Sequence, residues 1–178
     1  MLPKPYFELM ADYNELMNNS IYSAASKLSS IVLAKDQGAF FGSILNTLNH
    51  ILVADTIWLK RFANHEAQFA SLDYVRALPV PESLDEVLFT DLDVLREKRE
   101  KMDAVLKDFA SELTDKETSQ PFSYTSTEGL DFRKNFGHIL QHFFNHQTHH
   151  RGQVSTLLSQ EGLDIGVTDL LISIPELE

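Results

Sequence analysis

The stretch FFNHQTHHRGQV, residues 143–154, decides both how this chain folds and where its chemistry lies. It holds three of the seven histidines. His138 and His142 continue the spacing upstream, so His138, His142, His146 and His150 recur every four residues. Residues three or four apart are neighbours on an α-helix, which makes several chelating pairs possible. The apolar residues around them choose between those pairs. With each residue advancing about 100° and Phe136 set at zero, Phe136, Ile139, Leu140, Phe143, Phe144, Val154, Leu157 and Leu158 fall on an arc from about 300° through zero to about 80°. His150 falls at about 320°, inside the arc, and His146 at about 280°, on its edge. His142, His149 and His138 fall at about 240°, 220° and 200°, towards solvent or the flank of a bundle. Arg151 falls at about 60°, inside the arc, and so needs a polar partner or an anionic ligand. Gly152 falls on the opposite side, where it would let another helix, or a second subunit, approach closely.

Outward from this helix the chain reads as one all-α domain over residues 1–178, a four-helix bundle. A first helix is expected over Tyr6–Leu33 and a second from about Gln37 to Ala63, its start softened by the glycines of 37-QGAFFG-42. Residues 64–81 form a connector. Ser83 followed by Glu86 resembles a capping box opening a third helix that runs to about Leu113. Residues 121–135 predict a short β-hairpin turning at Glu128-Gly129. The fourth helix runs from about Lys134 to Gln160 and stops at Gly162. The tail from Leu163 is apolar enough to pack on the bundle.

Composition excludes much. The net charge of −11 disfavours nucleic acid, and the densest basic run, 96-REKREK-101, reads as a solvated helix face. The absence of cysteine removes disulfides, thiolate ligands and a cysteine nucleophile. A metal site must therefore use His, Asp or Glu. Neither a signal peptide nor a membrane-spanning run is visible, which predicts a cytoplasmic protein without membrane association.

Two imidazoles are a weak site, and open zinc-type sites use three protein ligands. His65 lies in the connector. His50 lies mid-helix in 48-LNHILVADTIWLKRF-62, about 180° from the main apolar stripe of a helix that is apolar nearly all round. Position on the helix leaves its direction open. Asp55 lies in the main stripe and calls for a buried partner, with Arg151 a candidate. Asp55, Asn46 and Asn145 are candidates to hold imidazole tautomers.

The segments 49-NHILVADTIWLKRF-62 and 142-HFFNHQTHHRGQVSTLL-158 together resemble the DinB/YfiT-like family, and 13-YNELMNNSIY-22 resembles its first helix. The matching strings are H-x-x-x-A-D-x-x-W and H-x-x-x-H-R-G-Q. The resemblance implies an up-down-down-up bundle, usually a homodimer, with His50, His146 and His150 binding one divalent metal ion. An all-imidazole set suits zinc, nickel, copper or iron, with nickel or zinc the expected ion. Some members are thiol-dependent transferases or isomerases, so the resemblance implies a metal-dependent enzyme of S-transferase, isomerase or hydrolase type using a low-molecular-weight thiol. The alternative is a non-catalytic metal-binding stress-response dimer. No residue is assigned as catalytic acid or base, and no substrate is named.

Overall fold

The computed structural model describes residues 3–176. It is an all-α helical bundle carrying a small two-stranded hairpin near the C-terminus. The helices are α1 (Lys4–Ala25), α2 (Ser30–Ala34), α3 (Ile44–Phe62), α4 (Asp73–Ala77), α5 (Leu92–Glu112), α6 (Asp115–Ser119) and α7 (Phe136–Gln160). Strands β1 (Pro121–Thr125) and β2 (Asp131–Asn135) pair antiparallel between α6 and α7, with Tyr124 opposite Phe132. The four longest helices, α1, α3, α5 and α7, enclose the core. Helix α1 lies against α5 and α7, and α3 against both as well.

Helix starts are set by side-chain caps, and two differ from the sequence expectation. Helix α3 begins at Ile44, not near Gln37, because the Ser43 side chain accepts from the Asn46 N–H at 3.1 Å. Helix α5 begins at Leu92, not Ser83, because Asp91 accepts from the N–H groups of Asp93 and Val94. Ser83 and Glu86 form no capping box. Ser83 donates to Asp85, and the Glu86 carboxylate accepts from the Glu82 N–H. Residues 83–90 are instead a strap laid across α3, held by Asn49, whose amide donates to the Phe89 carbonyl while its oxygen accepts from the Phe89 N–H, each at 2.9 Å. The first helix also stops early, at Ala25, and Ser29 caps the separate turn α2.

The other expected boundaries hold. Asn135 caps α7 by accepting from the His138 N–H. At its far end Gly162, at φ +78°, lets Leu163 N–H reach back to the Leu158 carbonyl at 2.9 Å. The hairpin turns at Gly129, at φ +80°. The tail lies on the bundle through Leu163, Ile165 and Leu170, and Tyr13 donates to the Thr168 carbonyl at 2.5 Å.

One end of the bundle is aromatic. Phe62 is fully buried, with the rings of Phe109, Phe122, Phe136 and Phe143 within 6.0 Å. His65 stacks on Phe136 at 4.8 Å, and its Nδ1 accepts from the Ala67 N–H. It is a satisfied core histidine. Because Phe62 meets Phe136 and Phe143 while His50 meets His146 and His150, α3 and α7 run antiparallel.

The middle of the bundle is polar, which corrects two readings. Arg99, from the basic run expected to be solvated, is 2% exposed. Four residues from Leu95 and three from Met102, it shares their inward face. It pairs with Asp55 on α3 and, at 2.9 Å, with Asp103 one turn along α5. Arg99 therefore takes the place expected for Arg151 as the partner of Asp55. Arg151 donates instead to the side-chain oxygens of Asn14 and Thr148. Asn14 and Asn18 on α1 also donate to Asp103. Two guanidinium and two carboxylate groups thus balance in charge inside a network spanning all four long helices.

Candidate metal centre

His50 projects from the middle of α3, and His146 and His150 from adjacent turns of α7. The Nε2 atom of His150 lies 3.3 Å from that of His50 and 3.1 Å from that of His146. One ligand nitrogen from each ring falls within 4.8 Å of the others. His50 and His150 are buried and His146 half-buried. The three expected histidines are brought together, and the side of α3 that periodicity left open for His50 faces α7. His138, His142 and His149 lie exposed on the flank of α7, as the dial places them.

The hydrogen bonds fix which nitrogens are free. His50 Nδ1 lies 2.7 Å from the Leu84 carbonyl oxygen, which can only accept, so Nδ1 carries the proton. His150 Nδ1 lies 2.8 Å from Gln153 Oε1 and is protonated for the same reason. Both rings therefore turn an unprotonated Nε2 towards one point. Two lone pairs 3.3 Å apart, with a third imidazole beside them, repel unless a cation sits between them. This donor set, neutral imidazole with its other nitrogen donating to an oxygen, is the one that divalent transition metals take. Leu84 and Gln153 perform the role expected of Asp55, Asn46 and Asn145. Gln153 was legible as an i+3 neighbour of His150, whereas the Leu84 carbonyl belongs to the strap and leaves no sequence signal.

Electrostatics agree. Burial, then the neighbouring imidazoles, pushes His146 down to about 3. Burial also holds His50 and His150 below their ordinary range. All three are neutral near pH 7, as metal ligands must be. Phe41 stacks on His50 with ring centroids 3.9 Å apart and meets His150 edge-on at 5.6 Å. Phe41 lies ahead of the Ser43 cap of α3 and covers one side of the cluster. Gln147, fully buried between His146 and His150, escaped the sequence reading, although it falls at about 20° on the same dial.

Among the described residues no helix is long and apolar enough to cross a membrane. The profile of the DinB family matches residues 1–175. The chain is 23% identical over 159 residues to "Protein DinB" of Bacillus subtilis (strain 168), covering 89% of this chain and 87% of that protein. It also resembles the crystal structure of a DinB-like protein from Bacillus cereus ATCC 10987, with a TM-score of 0.54 and 21% identity over 85% of this chain and 89% of that one. That likeness is one of fold. With its buried three-histidine cluster consistent with metal binding, the chain belongs to the DinB family.

Proposed function

We propose that this protein is a metal-dependent enzyme of S-transferase, isomerase or hydrolase type, with His50, His146 and His150 as the ligands of one divalent ion, nickel or zinc. The observation that carries the reading is the composition of the cluster. Three imidazoles converge and, among the described residues, no carboxylate joins them. Sites that keep a position open for substrate have three protein ligands, whereas structural sites are closed by a fourth. A divalent ion there supplies Lewis acidity and lowers the pKa of a coordinated water or thiol. The chain's own residues do the rest. Leu84 and Gln153 hold two rings in the ligating tautomer, and Phe41 limits the approach of water from one side. A low-molecular-weight thiol is the co-substrate we infer from the resemblance to thiol-dependent members of the family; the chain has no cysteine of its own to supply a thiolate.

We also infer an up-down-down-up helix order within one domain, and a cytoplasmic homodimer binding neither nucleic acid nor membrane. The charge of −11 supports the lack of nucleic-acid binding. Exposed Val167, Leu171, Ile172 and Ile174 on the tail support self-association. The second reading is a non-catalytic metal-binding stress-response dimer.

Elemental analysis of untagged protein tests the site. Wild type should hold about one metal ion per chain, and His50→Ala, His146→Ala and His150→Ala should each lose most of it. Full retention in all three variants would sink the assignment. Metal-replete protein is then assayed with bacillithiol, mycothiol, glutathione and coenzyme A against electrophiles. No turnover with any of them would favour the second reading.

A further inference from the structure

Along the α3–α7 surface from the three histidines lies a cation that forms no ion pair among the described residues. Arg61, near the end of α3, is half-buried. The comparably buried Arg76 and Arg96 each meet a carboxylate. Among the described residues Arg61 meets none, and its guanidinium lies over the rings of Trp58 at 4.6 Å and Tyr124 at 5.4 Å. Ring stacking engages the face of a guanidinium, but its five N–H donors lie in the plane. That planar fork fits an oxyanion. The hairpin adds to the same surface. Tyr124, Phe132 and Lys134 share one face of it, with Phe132 stacked on Tyr124 at 5.6 Å and the Lys134 ammonium 5.0 Å from the Phe132 ring. Asp131 and Arg133 point to the other face by alternation. Two cations beside aromatic rings are unexpected on a chain of net charge −11.

The patch is continuous with the centre. The His142 ring lies 5.5 Å from Trp58 and 6.2 Å from His146. Arg61 follows His50 by eleven residues, roughly 16 Å along the helix axis.

We propose that Arg61, flanked by Trp58 and Tyr124, is a subsite for an oxyanion, a carboxylate or a phosphate, at the far end of an elongated substrate whose reacting end lies at the three histidines. This deepens, and rests on, the reading of those histidines as the reacting centre. Its substrate class is an anionic molecule with roughly 16 Å between its charged and reacting ends.

Trp58 is the chain's single tryptophan and reports the subsite directly. Its fluorescence is followed while metal-loaded and metal-depleted protein are titrated with benzoate, phenyl phosphate and uncharged benzyl alcohol. A saturable change with at least one anion, in both forms of the protein and absent with benzyl alcohol, is expected. Which anion responds assigns carboxylate or phosphate. Arg61→Met should weaken that binding at least tenfold, and Arg61→Lys, which keeps charge without the fork, should fall between. In wild type the Arg61 Nε–Hε resonance should shift during the same titration, which needs no variant to fold. No saturable change with either anion, an unchanged affinity in Arg61→Met, or binding only to metal-loaded protein would overturn the subsite. Loss of the subsite would leave the metal content of the histidine variants unaltered, so the two readings fail separately.

Discussion

Gln147 donates its side-chain amide to the Asp55 carboxylate at 2.8 Å, joining α7 to α3 beside the three-histidine cluster. It lies between His146 and His150, and Asp55 follows His50 by five residues, so this bond fixes the sliding of the two helices that carry the three histidines. Gln147→Leu should cost about 1–3 kcal/mol, because Asp55 stays buried with one donor fewer. Metal affinity should fall roughly tenfold as the rings lose register. Urea unfolding and chelator competition measure the two effects. An unchanged affinity in a folded variant would show that the ligands are held without this bond.

Arg99 is the counter-charge for both Asp55 and Asp103. Those carboxylates hold its guanidinium above the ordinary arginine range, outweighing the opposing effect of burial. Removing it with Arg99→Met leaves the buried network with one guanidinium against two carboxylates, which should destabilise by about 3–5 kcal/mol. Adding Asp55→Asn, which restores one carboxylate against the remaining Arg151, should recover much of that loss, because it is the unpaired charge rather than the missing contact that is costly. Denaturation midpoints of the single and double variants decide it.

Acid should destabilise the metal-free protein through His146. Its folded pKa is about 3, against an ordinary 6.5. Below pH 6.5 the unfolded chain takes up a proton that the folded chain refuses, so stability is full above that pH and falls as the pH drops towards 3. Burial gives His50 and His150 the same sign. Melting temperatures of chelator-treated protein between pH 7 and pH 4 should therefore decline, and His146→Asn should flatten the decline.

Two glycines of α7 should respond in opposite directions to alanine. A Cβ on Gly137 would lie 2.8 Å from the Thr118 carbonyl oxygen of α6, so Gly137→Ala should cost about 1–3 kcal/mol. A Cβ on Gly152 meets nothing within 4 Å, so Gly152→Ala should stabilise the chain by up to about 1 kcal/mol. If a second subunit covers Gly152, the same variant weakens the dimer instead. Sedimentation at several concentrations separates these outcomes.

Local periodicity determined a good deal. The apolar arc of the last helix placed His146 and His150 inward and His138, His142 and His149 outward, because facing is set within a few turns of one helix. Alternation and a Glu-Gly turn located the hairpin, and Gly162 the end of α7. Periodicity was weaker wherever a neighbour decides. It made Arg99 a surface residue, although its spacing from Leu95 and Met102 turns it inward, and it offered Asp55 the wrong arginine. It read Ser83 as a cap, although the chain there is a strap whose Leu84 carbonyl sets the tautomer of His50, 34 residues away. A helical dial tells which side of a helix is apolar, but not which element covers that side. The direction of His50, the pairing of Asp55 with Arg99, and the placing of Arg61 over Trp58 and Tyr124 were decided only when α3, α5, α7, the strap and the hairpin came together, since each depends on groups far apart in the chain.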